Sequence, residues 1–282
     1  MKQITIIAAL MLAFASAQAG QKIRMHSHRG ESDFAPQNTV EAIKIAYEKG
    51  ALMIETDFTL TQYGQMVCVH GRNELKRYWN IDKNPAELTP QDIANAKNTL
   101  KGRTDSEPHY DKKYANVKLP LIDDIFAAIP KDKRFELEIK GYGEDFADKV
   151  EAARQKAGLK PWNILVTGFN KEAIKDFKKK YPEYETLFIV SMGDKRHNWT
   201  LEKIIAAAKD AKASQVAIGN YRKVDKSFID ALKKAGFKTG VWQVETLEDL
   251  AYAAALGVDR VCSNHAYALR QKYKLIKQLD FK

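Results

Sequence analysis

Three short stretches hold the residues whose types and spacing could do chemistry: HSHRG at 26–30, IETDF at 54–58 and ELEIK at 136–140. In an extended segment alternate side chains share a face, so Glu55 and Asp57 point one way and Ile54 and Phe58 the other. Glu136, Glu138 and Lys140 likewise share a face, opposite Phe135, Leu137 and Ile139. Carboxylates gathered in this way repel one another unless positive charge sits among them, and a hard divalent cation with oxygen ligands meets that need. Glu55, Asp57 and Glu138 are therefore the candidate metal ligands, for one Mg²⁺ or Ca²⁺ ion. The competing reading is a structural salt-bridge cluster with Arg29 and Lys140. Solvated surface fits poorly, because an inward-facing charge left unpaired is strongly destabilising.

Two imidazoles stand near these acids in the order of the chain. His28 ends the run KIRMHS, and His70 ends a hairpin suggested by Gly64 and MVCV. An imidazole titrates near neutral pH, so a pair flanking a phosphate can act as general base and general acid. Arg29 adds a planar fork that matches phosphate oxygens, and Lys140 adds a point charge. Strict alternation puts Arg29 opposite His28, so the chain has to turn there, and Gly30 permits it. His26 reads as a hydrogen-bonded core residue, His109 and His197 as surface residues. His265, just past the last strand-like run, is left open between surface and cavity mouth.

The elements that must position these groups alternate between two periods. Strand-like runs (IRMHS, LMIETDF, RFELEIK, NILVTGF, TLFIVS, QVAIGN, KTGVWQV, RVCSN) are followed by helical patterns at 39–49, 121–129, 144–158, 170–180, 200–210, 225–235, 247–256 and 265–277. Eight such units in about 260 residues predict a closed (β/α)8 TIM barrel. An open doubly wound sheet is the alternative, but HSHRGESD lacks the glycine-rich turn of a dinucleotide site. An insertion at about 72–118 follows the second strand. It contains a short helix near 89–97, opened by Thr89-Pro90, and then a polar, irregular stretch, and it is expected to wall the cavity.

The first residues, MKQITIIAALMLAFASAQA, read as a secretory signal peptide at 1–19 with cleavage after Ala19. That leaves 20–282 as the barrel domain of an exported protein, periplasmic or secreted. The net charge of +10 becomes +9 when Lys2 leaves with the leader. Its lysines are scattered along helices without interleaved stacking aromatics, so no nucleic acid partner is expected. Anionic small molecules and transient contact with an anionic lipid surface fit better. No residue pattern sets an oligomeric state. Cys68 and Cys262 sit in apolar runs with no metal or redox spacing and read as free, buried thiols.

Taken in order, HRG, APQNTVEAI, ETDFTLTQYGQMVCVHGRNELKR, LPLIDDIFAAIP, LEIK, GVWQV and GVDRVCSN resemble the glycerophosphodiester phosphodiesterase family over about residues 25–270. The resemblance implies a (β/α)8 barrel with an insertion after the second strand and metal-dependent hydrolysis of glycerophosphodiesters to an alcohol and glycerol phosphate. By motif, Glu55, Asp57 and Glu138 resemble the metal ligands, His28 and His70 the acid–base pair, and Arg29 and Lys140 the phosphate contacts. Trp242 is similar to the family's substrate-facing tryptophan. Four positions depart from the pattern: Glu31 replaces a small residue, Gln37 a glutamate, Gly71 an aspartate after His70, and Asn264 an aspartate. Two other functions remain open at this stage. One is a phospholipase of C or D type acting on lysolipids or sphingolipids; the other is a non-catalytic phosphate-ligand binding protein on the same scaffold.

Overall fold

Nine strands lie within residues 23–279, the part of the chain that this computed structural model describes. The apolar leader expected at 1–19 lies outside those residues. The strands are β1 (Arg24–His28), β2 (Met53–Leu60), β3 (Met66–Cys68), β4 (Arg134–Gly141), β5 (Ile164–Gly168), β6 (Glu185–Ser191), β7 (Gln215–Gly219), β8 (Lys238–Trp242) and β9 (Arg260–Ser263). All except β3 run parallel, and β1 pairs with both β9 and β2, which closes eight strands into a ring. Strand β3 lies outside the ring, antiparallel to the end of β2, as the hairpin reading predicts. No helix of the described residues is long and apolar enough to cross a membrane.

The helices are α1 (Val40–Glu48), α2 (Arg72–Trp79), α3 (Pro90–Asn95), α4 (Ile122–Ala127), α5 (Phe146–Lys156), α6 (Lys171–Lys180), α7 (Leu201–Asp210), α8 (Lys226–Lys234), α9 (Leu247–Leu256) and α10 (Ala266–Leu279). Several begin one residue later than their sequence patterns. Thr39, Asn170, Thr200 and Asp225 are extended N-caps whose side chains accept first-turn backbone N–H groups. The face split read from β4 also holds. Phe135, Leu137 and Ile139 join Ile54, Phe58, Ile125, Phe126 and Phe146 in the core between barrel and helices, so the charged residues of β2 and β4 face the barrel axis.

Between β2 and α4 the chain builds more order than its polar sequence suggests. Helix α2, absent from the sequence reading, places Leu75, Tyr78 and Trp79 against Val67, Val69, Leu88, Ile93, Tyr114 and Val117. The stretch after α3 is irregular as expected, but Tyr114, Val117 and Leu119 pin it to this second core. Arg103 fastens it to the barrel mouth, pairing with Asp33 at 3.1 Å and donating to the Asn264 carbonyl at 3.3 Å. Both cysteines are free. Cys68 is buried, whereas Cys262 is half-buried and lines the central cavity, because its strand position faces the axis.

Deep in the barrel Glu136 is enclosed by partners. His26 Nδ1 lies 2.9 Å from Glu136 Oε2, and the two Arg260 terminal nitrogens lie 3.2 and 3.4 Å from its oxygens. Burial holds His26 below the ordinary histidine value, against the opposing pull of Glu136. Burial alone would raise Glu136, but Arg260 and His26 outweigh it and hold the carboxyl below the usual range. Below about pH 6.5 the unfolded chain therefore takes up a proton on His26 that the folded chain refuses, so stability falls as pH drops. The Glu136 contribution is lost further down, as pH falls through the carboxylate range. Denaturant unfolding followed from pH 7 to pH 5 should show this decline, and His26→Gln, which keeps a donor for Glu136, should make it shallower by up to about one proton. An unchanged slope would show that His26 is not the group responsible.

Candidate active site

Register brings the acids together. His28 at the end of β1 stands beside Glu55 of β2, and Asp57 of β2 stands beside Glu138 of β4. One carboxylate oxygen from each of Glu55, Asp57 and Glu138 lies within 4.8 Å of the others, and all three residues are buried. The cluster sits at the C-terminal ends of the barrel strands, the face where such barrels carry their sites. Glu55, Glu138, His28, His70, Arg29, Lys140 and Trp242 line a single cavity, with Asp57 buried directly behind. The eight residues singled out from the sequence are thus brought to one place.

Two cations offset the acids only in part. The Arg29 Nε lies 2.9 Å from Asp57 Oδ2, and the Lys140 ammonium lies 2.5 Å from Glu138 Oε1 and 3.3 Å from Asp57 Oδ1. Burial would raise Asp57, but Arg29 and then Lys140 overcome it and hold the carboxyl below the usual range. Glu55 goes the other way, pushed well up by burial and then by the charges of Asp57 and Glu138. Its Oε1 is buried and accepts no hydrogen bond among the described residues. An oxygen with no partner, in a cluster where protein cations leave a carboxylate proton-hungry, is chemistry that suits a hard cation.

Arg29 reaches this cluster because the chain turns at once after His28. Arg29 has φ +56° and Gly30 φ +83°. A Cβ at Gly30 would lie 2.7 Å from that of Ala42, so a glycine lets the turn press on α1. The turn also aims the Arg29 backbone N–H at Glu55 Oε2, 3.3 Å away. His28 is nearly buried, and burial followed by Arg29 holds its imidazole below the ordinary value, so the ring is neutral. Its Nε2 faces Glu55 Oε2 at 3.7 Å, while Nδ1 lies 2.6 Å from Asn264 Oδ1. His70, just beyond β3, is exposed at the cavity mouth. Trp242 rests on Gly219, where a Cβ would come within 2.5 Å of its ring, and meets Phe169 edge-on at 5.6 Å.

The remaining histidines behave as read: His109 and His197 are exposed and His26 is core. His265 is half-buried, with Nδ1 2.9 Å from Asp33, and is not among the residues that line the cavity. Glu31 explains its own departure, because it serves structure away from the cavity. It is fully buried, accepts from Ser27 Oγ at 3.2 Å, and takes the Tyr267 N–H at the start of α10 at 3.2 Å.

Glu74 is a residue that sequence reasoning missed. It is buried on α2, where it accepts from Gln37 Nε2 at 2.9 Å, Asn38 Nδ2 at 3.1 Å and the His70 backbone N–H at 3.2 Å. Arg29 Nη1 stands 3.8 Å away. Asn38 joins this carboxylate to the acid cluster, donating also to Asp57 Oδ2 at 2.9 Å. Gln37 and Gly71 therefore do not leave His70 unsupported, because Glu74 supplies a carboxylate from one turn further on. The signal was present: a glutamate on the same helical face as Leu75, Tyr78 and Trp79.

Comparison with known proteins adds to this geometry. Residues 28–267 match the model of the glycerophosphoryl diester phosphodiesterase family. A glycerophosphodiester phosphodiesterase of Caldanaerobacter subterraneus subsp. tengcongensis is 26% identical over 243 residues, 84% of this chain and 92% of that protein. Among solved structures, an Oleispira antarctica phosphodiesterase in complex with the product sn-glycerol-3-phosphate matches with TM-score 0.71 at 19% identity, over 92% of this chain and 99% of that one. A Thermotoga maritima glycerophosphodiester phosphodiesterase matches with TM-score 0.69 at 19% identity, over 89% and 99%. At that identity the structural likeness bears on the fold.

Replacing Glu74 with leucine strands the Gln37 and Asn38 amides and the His70 N–H away from water. The expected loss of stability is about 3 kcal/mol, read by denaturant unfolding, and Glu74→Gln should recover part of it. A leucine variant as stable as the parent would show that the carboxylate is not the hub.

Proposed function

The chain belongs to the glycerophosphoryl diester phosphodiesterase family, and from that premise we propose that it is a metal-dependent enzyme working by histidine acid–base catalysis. It is a phosphoric diester hydrolase that cleaves glycerophosphodiesters, so the reading as a binding protein without turnover gives way. The observation that carries the finer reading is the convergence of two imidazoles, a guanidinium and an ammonium on one acid trio in a single cavity. Glu55, Asp57 and Glu138 would hold one divalent cation, Mg²⁺ or Ca²⁺. When bound, such an ion offsets negative charge on the phosphoryl oxygens.

The protein's own groups do the rest. Arg29 and Lys140 present positive charge to non-bridging phosphate oxygens, and each is held in place by the carboxylates it pairs with. One imidazole takes the hydrogen of the attacking hydroxyl as its oxygen bonds to phosphorus. The other, entering as imidazolium, gives a proton to the leaving alkoxide oxygen and is left neutral, so the alcohol departs neutral. Trp242 and Phe169 form an aromatic wall beside the cavity for the organic part of the substrate.

Dialysis against a chelator should abolish hydrolysis of glycerophosphocholine, and titration with Mg²⁺ or Ca²⁺ should restore it; activity that survives chelation would refute the metal. His28→Ala and His70→Ala should each lower kcat by about 100-fold or more with the fold intact. Undiminished turnover in either variant would remove that histidine from the reaction. Glycerophosphocholine should also be cleaved faster than a lysolipid; the reverse order would favour the phospholipase reading.

A further inference from the structure

His28 is offered two amides at the same ring nitrogen. Asn264 Oδ1 lies 2.6 Å from Nδ1, and the Nε2 of Gln243, the donor end of a second amide, lies 3.1 Å from it. A side-chain amide can present either its acceptor or its donor end, and the two ends have nearly the same shape. Which end of Asn264 faces His28 therefore decides which ring nitrogen carries the hydrogen. Something has to make that choice, and the group positioned to do so is Glu245.

Glu245 stands behind Asn264, three residues past the end of β8. Its Oε1 accepts the Asn264 side-chain Nδ2–H at 3.1 Å and the Asn264 backbone N–H at 3.3 Å. Its other oxygen lies 3.5 Å from His265 Nε2, and His265 Nδ1 lies 2.9 Å from Asp33 Oδ1. A carboxylate has no hydrogen to give, so the reversed Asn264 amide would set oxygen against oxygen. Asn264 is thereby locked with its carbonyl toward His28.

We propose that Glu245 is a positioning residue: acting through Asn264, it fixes the Nδ1–H form of His28, so that the ring meets the substrate with a bare Nε2 and enters the reaction as the proton acceptor. This rests on the reading of His28 as a proton-transfer group given above. The attacking hydroxyl's hydrogen passes to Nε2 as its oxygen bonds to phosphorus. The resulting imidazolium keeps its Nδ1–H bond to Asn264, and His70, entering as imidazolium, supplies the proton that leaves with the alcohol and is left neutral. Gln243, whose Nε2 faces Nδ1 in the structure, must then turn its amide end for end to present its carbonyl to the same Nδ1–H.

The imidazole ¹⁵N shifts of labelled enzyme report the tautomer directly, with His28 assigned by the signals lost in His28→Gln. The expected result is a protonated Nδ1 and an unprotonated Nε2, shifting toward the opposite form in Glu245→Leu. In that variant kcat for glycerophosphocholine should fall about 10- to 100-fold with KM nearly unchanged. Adding Asn264→Asp to Glu245→Leu should recover most of the loss, because a carboxylate has no donor end to misplace. Asn264→Asp alone should be impaired, since it sets two carboxylates against each other. Glu245→Gln, whose amide can accept from Asn264 or donate to it and so permits either orientation, should lose part of the activity and shift part of the ring to the opposite tautomer, which covers the case in which the leucine variant fails to fold. An Nε2-protonated ring in the parent enzyme, full kcat in Glu245→Leu, or a double variant no better than Glu245→Leu would each overturn the relay. Full activity in His28→Gln would instead overturn the acid–base reading, and the tautomer measurement would still decide the relay on its own.

Discussion

Burying three carboxylates within a few ångströms of one another is the constraint that organises the cavity end of this barrel. Glu55, Asp57 and Glu138 face inward because the alternate residues of β2 and β4 are apolar and are drawn to the helices. Once inward, they must be compensated. Arg29 is turned back over Asp57 by a left-handed step in its own backbone, and Lys140 is carried there by the same strand as Glu138. Asn38, also left-handed, gives its amide to Asp57 and takes the Asp57 N–H. These residues do not surround the acids by accident of packing; each satisfies a charge or lone pair that burial would otherwise leave stranded.

A common device recurs at the two histidines. Near each, an amide stands at a position where the family's pattern carries an acid, and a carboxylate stands behind the amide. Glu74 lies behind Gln37 and Asn38, close to His70; Glu245 lies behind Asn264, close to His28. At His28, where Asn264 meets the ring and Glu245 stands behind it, moving the negative charge one residue away changes what it does; at His70, Glu74 takes the backbone N–H and not the ring. A carboxylate in direct contact stabilises an imidazolium by its charge, whereas an amide contact directs the hydrogen and leaves the ring neutral. The departures in sequence are thus linked pairs, since an amide without its carboxylate would be free to turn.

The sequence made the barrel legible because its signal is local and repeated. Period-two runs and capped amphipathic helices recur eight times, and the site residues fall at strand ends, where alternation alone sets their direction. The insertion was less legible. Its second core joins Val67, Tyr78, Ile93 and Val117, which no single period links, and α2 is short with Glu74 on its apolar side. Glu74 and Glu245 escaped notice for a related reason: neither belongs to a strand whose pattern points it inward. Their roles come from partners 36 and 19 residues away, and a one-dimensional pattern does not carry that kind of pairing.

The barrel holds two acidic layers, and their difference separates a structural cluster from a reactive one. Glu136, one step below Glu138 on the same face of β4, has Arg260 on one side and His26 on the other, and its charge is answered within the protein. Above it, Glu55 keeps a buried oxygen with no hydrogen-bond partner among the described residues, and its carboxyl is driven upward by burial and then by like charges. If the upper cluster existed only to tie strands together, the lower one shows how this fold completes such a tie: one guanidinium and one ring for one carboxylate. The upper layer instead spreads two cations over Glu55, Asp57, Glu138 and the nearby Glu74. Four carboxylates against two cations leave the upper layer with an excess of acids that the lower layer does not have.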